Sequence, residues 1–524
     1  MLGLGLLALG LRLPHYQFIP AFTDEIKDFY HSLLIAHGQE RPLVYEASPY
    51  IGSFWDWLLA IALRVSGDSL YAPRTLILAV GVLTVLATYL LGRAWGGRTA
   101  GLLGAGLLAT AAGHIALNSH VAWSNCVTPL FTTLGAWMLS LALRGSSSMP
   151  RTALPLAGLF WGLGLQTHPS VLALLPGAAT FLLWRGRPLL RTPWPYLGAG
   201  LFVLVNLNIL IYNLMTDVGS LAAGSSKIGH FSSREELSPQ TYTARVSRLG
   251  VGLVQLLGGA VDQENNEARF LLDPGPWPIG LLAIGGLVWQ WRRGNALPGL
   301  LLLATALLQP LFNGNYKLMF DGRYISPLLP VLFACIGPLL AEGLAWLRRG
   351  EPNQRSWAAP IWLARAGLAA LVAFILLHPL LYLRSYYDQE AGLGRTNARF
   401  FQMIELLKRS RRAEDDIVVD RLLQGMMFGS GDGRVTDAVR VAMMANDLPY
   451  RFDNVSFSDL LDPNNRCRTQ FIIMPIRRLV ANRDIVAQLN LRAVEERPAK
   501  LPPDTNTYGA YRLDRLPDAP PTCG

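Results

Sequence analysis

The sequence is poor in charged residues. Asp, Glu, Lys and Arg make up 16% of its 524 residues, whereas soluble domains carry about 25%. Hydrophobic residues make up 51%, and the mean hydropathy is +0.29. This balance argues against a soluble globular chain. It predicts a membrane protein, provided that the apolar residues form runs of about 20.

Cysteine is scarce as well. The chain has four cysteines and no C-x-x-C spacing, which argues against the common zinc and dithiol redox motifs. Cys126 and Cys335 lie in apolar segments, whereas Cys467 and Cys523 lie in the polar tail. We expect Cys467 and Cys523 to be able to pair if that tail lies outside the cytoplasm.

Nucleotide-binding motifs are missing too. Neither G-x-x-x-x-G-K-[ST] nor G-x-G-x-x-G after a strand occurs. The net charge of +10 does not indicate a nucleic-acid partner, because the excess is largely arginine in short loops between apolar runs. Residues 1–14 lack the charged start and small-residue cleavage site of a signal peptide.

Apolar runs predict a polytopic α-helical membrane protein. With the short segment 1–13, whose true start we expect upstream, about eleven spans are predicted. The other spans are 74–92, 99–117, 121–143, 153–167, 169–184, 195–215, 277–291, 297–313, 324–347 and 360–383.

The connections between these runs alternate in charge. Arginine-rich connections with almost no acidic residues alternate with connections that hold Asp24 and Glu25, His120, His168, the segment 216–276 and the segment 317–323. Arginine marks the cytoplasmic side. We therefore predict a multi-pass protein of the plasma (inner) membrane, with the second set of connections facing outward.

Two domains are predicted in chain order. Residues 1–384 form the transmembrane module, with an acidic outer loop at 14–73 and a long outer loop at 216–276. An interfacial helix is expected in each of these loops. Residues 385–524 form an extracytoplasmic soluble α/β domain, because a helical pattern is followed by the strand-like runs DIVVD, RTQFIIMPI and TYGAYRL.

Asp24 and Glu25 are the leading candidates for chemistry. They follow the first apolar segment in a loop rich in aromatic residues. A carboxylate at the edge of a low-dielectric region can act as a general base toward an attacking hydroxyl group. The alternative is a solvated acidic pair near a helix end.

Three stretches carry a family resemblance. They are FTDE at 22–25, SPYIGSFWDWLLAIALRVSG at 48–67 and LGRAWGGRTAGLLGAGLLA at 91–109. In this order they resemble the GT-C class of membrane glycosyltransferases, in the branch of the protein O-mannosyltransferases and the aminoarabinose lipid A transferases. The resemblance implies a GT-C fold and inverting transfer of a sugar from a polyprenyl-phosphate carrier to a lipid, glycan or protein acceptor on the outer face.

The resemblance also implies residue roles. Asp24 matches the acidic position that serves as base or acceptor contact, and Glu25 matches the second acidic position. We assign the donor phosphate to Lys317, Arg323, Tyr324 and His120, and substrate contacts to His168, Asn125 and Tyr50. His120 stands where an arginine is typical, and its loop lacks an acidic residue. The missing acidic residue argues against a two-carboxylate or strongly metal-dependent mechanism, so we assign no metal ligand, and a divalent cation stays possible.

Other interpretations stay open. His120 and His168 are equally well explained as hydrogen-bonded polar residues near the interface, and Lys317 and Arg323 as side chains that snorkel to lipid headgroups. The whole chain could be a lipid or sugar transporter or flippase, or a non-catalytic scaffold. The enzyme hypothesis expects Asp24 and Arg323 to face one pocket.

Overall fold

The structure is a computed structural model that describes the greater part of the chain. It covers residues 1–14, 16, 23–46, 48–69, 71–143, 152–224, 237–259, 275–314, 316, 322–348, 358–423, 427–428, 433–494 and 508–517, without the side chains of 23–24, 358–361, 385, 388–402, 427–428, 433–438 and 508.

Residue contacts group the chain into two compact units. The helical unit contains Met1–Tyr16, Arg41–Leu58 and Arg74–Asp388, and the mixed unit contains Gln17–Glu40, Leu59–Pro73 and Gln389–Gly524. The last change between units lies close to the predicted boundary at 384. The predicted division into consecutive domains stays a prediction.

Helices cover every predicted span. The first ten are α1 Leu2–Arg12, α2 Thr23–Ala36, α3 Phe54–Ser66, α4 Ala72–Thr110, α5 Ala112–Ser119, α6 Ser124–Ala142, α7 Ala153–Thr167, α8 Leu175–Arg185, α9 Trp194–Val205 and α10 Leu207–Met215. They are followed by α11 Pro239–Leu257, α12 Trp277–Arg292, α13 Leu297–Phe312, α14 Leu329–Arg348 and α15 Ala358–Ser410.

Several helices are long and apolar enough to cross a membrane. Within the described residues these are Ala72–Thr110, Ser326–Trp346 and Trp362–Arg384, and α9 with α10 pass together as a pair bent by 55°. Shorter apolar helices include Leu2–Arg12, Pro169–Arg185 and Leu297–Phe312. By length and composition alone, the described helices thus include three such helices, or four with the bent pair counted as one span.

A glycine turn divides α4 into the two predicted spans. Gly97 has φ 86°, inside an element that is otherwise helical. A Cβ on Gly101 would lie 2.6 Å from the Tyr89 carbonyl oxygen, and one on Gly92 would lie 3.1 Å from the Cα of Gly101. The two halves therefore pack against each other as a helical hairpin that reverses at Gly97, where glycine tolerates positive φ.

The helical unit has one large apolar core. Buried side chains from α4, α12, α13 and α14 meet in it. Leu108, Leu301 and Phe333 are among them and are fully buried. Helix α7 packs between α6 and α9, and α13 packs against α8. These contacts position the ends of α7, α10 and α13, which carry the site described below.

The mixed unit is built on a small sheet. Its strands are β1 Asp416–Asp420, β2 Met427–Phe428, β3 Gly433–Arg434, β4 Arg451–Asp453, β5 Gln470–Pro475, β6 Arg492–Ala493 and β7 Tyr508–Leu513. Five of them form a sheet in the order β4-β1-β5-β7-β6, with β1 parallel to β4 and β5, and β7 antiparallel to β5 and β6. The strands predicted at DIVVD, RTQFIIMPI and TYGAYRL are confirmed as β1, β5 and β7.

Two local features differ from the sequence-based expectation. Residues 23–36, expected within a loop, form helix α2, which packs in the mixed unit on the helix Val435–Ala445. The span predicted at 195–215 is broken at Asn206. Apolar periodicity alone does not report that break, because both halves are strongly hydrophobic.

Candidate active site

A cavity of about 760 Å³ opens in the helical unit. Apolar side chains such as Leu165, Ile209 and Phe312 form much of its lining. The polar lining includes three residues singled out from the sequence: Tyr50, His168 and Tyr324. They come from distant parts of the chain, and the packing of α7, α10 and α13 brings them together.

His168 is held at the turn between α7 and the short helix Pro169–Ala173. Its backbone conformation is extended, the next residue is proline, and its Nδ1 accepts the Ser170 N–H at 3.0 Å. Burial, and then the charge of Arg323, lower the pKa of His168 from 6.5 to about 3. The ring is therefore neutral and carries its proton on Nε2, so it offers one N–H donor.

Arg323 lies directly behind Tyr324. Its guanidinium group stacks on the rings of Trp123 at 4.0 Å and Tyr324 at 4.5 Å, and its Nη2 donates to the Tyr324 hydroxyl at 2.8 Å. The side chain of Tyr324 in turn contacts His168, with 5.3 Å between ring centroids. Arg323 is 9% exposed. A desolvated cation thus lies one side chain from the cavity wall, where its attraction for an anion is strong.

His120 lies in a different network. It is fully buried, its Nε2 is 2.8 Å from the Arg12 carbonyl oxygen, and its Nδ1 is 3.1 Å from the Tyr386 hydroxyl. Both ring nitrogens are therefore used inside the protein. Burial lowers the pKa of His120 to about 3. The described contacts match the interpretation of a satisfied buried histidine, and His120 is not among the residues that line the cavity.

Asn125 is also buried, in the first turn of α6. Its Oδ1 accepts a hydrogen bond from the neighbouring Cys126 thiol at 3.5 Å, and Asn125 is not among the residues that line the cavity. Its predicted contact with substrate stays a prediction.

The acidic pair is described only in part. Asp24 and Glu25 lie in the first turn of α2 in the mixed unit. Glu25 is 0% exposed. The side chain of Asp24 and the whole of Lys317 lie outside the described residues. The expectation that Asp24 and Arg323 face one pocket therefore stays a prediction.

Several cavity residues were missed from the sequence. Gln309 and Asn313 lie at the end of α13, Asn213 lies in α10, and Trp123 supports Arg323. Gln309 carried a usable signal, because a polar residue inside an apolar span is a functional-site hypothesis by default. Among the described lining residues, His168 is the one side chain of a type that commonly binds metals. The described lining therefore does not offer a set of metal ligands. Participation of a divalent cation stays a prediction.

A family model matches part of the chain. Residues 52–212 match the family described as dolichyl-phosphate-mannose-protein mannosyltransferase. No curated protein sequence matches the chain.

The solved structures show the fold. ArnT from Cupriavidus metallidurans, solved bound to undecaprenyl phosphate and in the apo state, superposes with a TM-score of 0.55 at 13% identity, covering 98% of this chain and 97% of ArnT. The apo oligosaccharyltransferase of Archaeoglobus fulgidus superposes with a TM-score of 0.51 at 12% identity, covering 93% of this chain and 70% of that protein. The predicted polytopic GT-C fold is confirmed, and residues 52–212 are similar to that mannosyltransferase family.

Proposed function

We propose that this chain transfers a sugar from a polyprenyl-phosphate-linked donor to an acceptor hydroxyl group on the extracytoplasmic face of the membrane, with inversion at the sugar carbon. The observation that carries the proposal is the cavity of about 760 Å³ with Arg323 behind its Tyr324 wall. The acceptor hydroxyl group belongs to a lipid, a glycan or a protein.

The chemistry of the cavity suits an amphiphile. A polyprenyl phosphate has a long apolar tail and an anionic headgroup. Leu165, Ile209 and Phe312 offer apolar contact, whereas His168 and Tyr324 offer hydrogen-bond donors. ArnT is one of the fold relatives and was solved with undecaprenyl phosphate, which makes that lipid a suitable first probe for this chain.

The proposed reaction is a single displacement. Asp24 accepts the proton of the acceptor hydroxyl group, and the acceptor oxygen forms a bond to the anomeric carbon of the sugar. The bond between that carbon and the phosphate oxygen breaks, and the polyprenyl phosphate leaves with the electron pair. Attack opposite the leaving group gives inversion. The guanidinium group of Arg323 stabilises the negative charge that develops on the phosphate.

Two observations support the extracytoplasmic placement. Arginine-rich connections alternate with arginine-poor ones along the chain, and the proposed outer face carries the arginine-poor set. Cys467 in the mixed unit is disulfide-bonded, whereas Cys126 and Cys335 are free. Disulfides persist in oxidising compartments outside the cytoplasm.

The transporter alternative has one feature in its favour. The bent pair α9 and α10 resembles the discontinuous helices that transporters use at their substrate sites. At this break, however, the side chain of Asn206 donates to the carbonyl oxygens of Gly162 and Phe202. Protein groups therefore satisfy the break, and the sugar-transfer hypothesis remains the better supported one.

The donor assignment is tested by replacing Arg323. Charge-assisted hydrogen bonds contribute about 1.5–3 kcal/mol, so Arg323→Ala should weaken binding of undecaprenyl phosphate by about tenfold to a hundredfold. Arg323→Lys should recover part of the loss, because lysine keeps the charge but cannot donate two parallel hydrogen bonds as the planar guanidinium group does. Binding is measured on purified protein in detergent.

Arg293 offers a matched control. It also stacks on a tryptophan, Trp289, at 4.7 Å, but its side chain is 61% exposed and pairs with Glu342. Arg293→Ala should leave the affinity unchanged. Equal affinities of wild type and Arg323→Ala would remove Arg323 from the donor site.

The base assignment is tested by Asp24→Asn. This variant should keep its thermal stability and its affinity for undecaprenyl phosphate but lose sugar transfer by about a hundredfold or more, the usual contribution of a general base. Transfer is followed as release of polyprenyl phosphate from a sugar-loaded lipid. Full transfer by the variant would contradict the assignment, and absence of transfer by the wild type with a panel of donors would favour the transporter hypothesis.

A further inference from the structure

Three amide side chains form a cluster beside the cavity in the helical unit. Gln166 ends α7, Asn206 lies at the bend, and Asn208 lies in the first turn of α10. Gln166 Nε2 donates to Asn208 Oδ1 at 2.6 Å, and Asn208 Nδ2 donates to Gln166 Oε1 at 3.2 Å. The two side chains thus exchange a reciprocal pair of hydrogen bonds.

Asn208 makes one further contact that leaves this cluster. Its Nδ2 donates to the Leu43 carbonyl oxygen at 2.7 Å, and the same oxygen accepts the Ser53 hydroxyl at 3.1 Å. Leu43 and Ser53 flank a tight turn in which the Tyr45 N–H donates to the Ile51 carbonyl oxygen at 2.9 Å. Asn208 therefore holds the base of the turn between residues 43 and 53.

This turn carries Tyr50 to the cavity. Tyr50 lines the cavity together with Ser220, whose hydroxyl donates to the Pro49 carbonyl oxygen at 2.6 Å. On its other side the turn packs against Gln166, because a Cβ on Gly52 would lie 1.9 Å from Gln166 Oε1. The place of Tyr50 thus depends on contacts made by α7, α10 and Ser220.

Asn206 serves a different purpose in the same cluster. Its Nδ2 donates to the carbonyl oxygens of Gly162 at 3.2 Å and Phe202 at 2.8 Å, which ties α9 to α7. Its Oδ1 accepts a hydrogen bond from Gln166 Nε2 at 3.2 Å, and within the described residues no hydrogen bond joins it directly to the turn that carries Tyr50. Asn206 and Asn208 thus share Gln166 as a partner, but among the described contacts Asn208 is the one of the two that bonds the turn directly.

We propose that Asn208 is a positioning residue for the donor site: it fixes the turn at 43–53 and thereby holds Tyr50 against the bound lipid phosphate. The inference rests on the proposed function, since it concerns the same cavity. Without the Asn208 amide, the turn keeps the Ser220 bond and the contact with Gln166 but loses the hydrogen bond at its base. We expect Tyr50 then to move relative to the cavity.

The test compares Asn208→Ala with Asn206→Ala in full-length protein, with undecaprenyl phosphate as the probe. Asn208→Ala should weaken binding about three- to tenfold, the effect of one or two neutral hydrogen bonds. Asn206→Ala removes the more buried side chain and should lower the thermal midpoint at least as much, yet leave the affinity unchanged. A purely structural cluster predicts the opposite order, with affinity following stability, and that result would overturn the proposal.

A double-mutant cycle identifies the residue through which Asn208 acts. If Asn208 works by holding Tyr50, then Tyr50→Ala and the double variant Tyr50→Ala/Asn208→Ala should bind the probe equally well, because the second change has nothing left to position. Additive losses would overturn the proposal. Wild-type protein that fails to bind undecaprenyl phosphate would instead contradict the proposed function, so the two failures are distinct.

Discussion

His168 is a buried histidine that stays neutral in the folded protein. Its pKa is lowered from 6.5 to about 3, first by burial and then by Arg323. A neutral ring can donate from Nε2 to a phosphate oxygen over the whole physiological pH range. Under the proposed function, we therefore expect His168 to serve as a hydrogen-bond donor at the cavity rather than as a proton shuttle.

This neutrality makes stability depend on pH. Below 6.5 the unfolded chain binds a proton that the folded chain does not, so the free energy of unfolding falls as pH falls toward 3. At about 1.4 kcal/mol per pH unit, the loss from this group at pH 5 is about 2 kcal/mol. His168→Gln should lose correspondingly less stability between about pH 7.5 and pH 5 in thermal unfolding experiments. The same loss in variant and wild type would contradict the assigned pKa.

The types of residue in the sequence led to three residues of the candidate site. Tyr50, His168 and Tyr324 were all singled out from the sequence, and all three line one cavity. His120 was expected at the phosphate, yet its hydrogen bonds go to Arg12 and Tyr386. The difference arises because the sequence places all these residues in outward connections but does not say which neighbours each one meets.

At the scale of elements, the hairpin at Gly97 is the clearest case of a sequence prediction that holds. Two spans separated by a short arginine-glycine turn were predicted, and the chain reverses there with φ 86° at Gly97. Gly97→Ala should lower the free energy of unfolding by about 1 kcal/mol, because an L side chain disfavours positive φ.

Gly106 provides the matched control for that prediction. It lies in the same element, and a Cβ there would meet nothing within 4 Å. Gly106→Ala should raise stability by up to about 1 kcal/mol, since alanine has the higher helix propensity. Thermal midpoints in detergent check both signs. Stabilisation by both substitutions would show that the turn at Gly97 tolerates a side chain.

On the scale of the whole molecule, the cysteines report the compartment of the mixed unit. Cys467 is disulfide-bonded, and the other cysteine of the polar tail, Cys523, lies outside the described residues. In denatured, non-reduced protein, a maleimide should label only the two free cysteines, Cys126 and Cys335. After reduction, the maleimide should also label Cys467 and Cys523.

The same thiol chemistry tests the orientation of the chain in the membrane. In sealed right-side-out vesicles, a membrane-impermeant reductant followed by an impermeant maleimide should label Cys467, because the proposal places it outside the cytoplasm. A Cys467→Ser/Cys523→Ser variant is the control for specificity, because it leaves neither cysteine of the polar tail to be labelled. Labelling restricted to inside-out vesicles would reverse the proposed orientation.

The sequence by itself determined the succession of helices and strands. Apolar runs specify the helices and their order, because hydrophobic length acts locally along the chain. The helix at 239–257 and the strands β1, β5 and β7 followed from local patterns in the same way.

Only the tertiary structure decided which side chains meet. The stacking of Arg323 on Trp123 and the bond from Asn208 to the Leu43 carbonyl oxygen join segments that are far apart in sequence. The break at Asn206 is likewise satisfied by a carbonyl group of another helix. Periodicity says which face of a helix is apolar, but the partner of a polar group depends on packing between helices. For that reason the residues that shape the cavity could be read only from the folded chain.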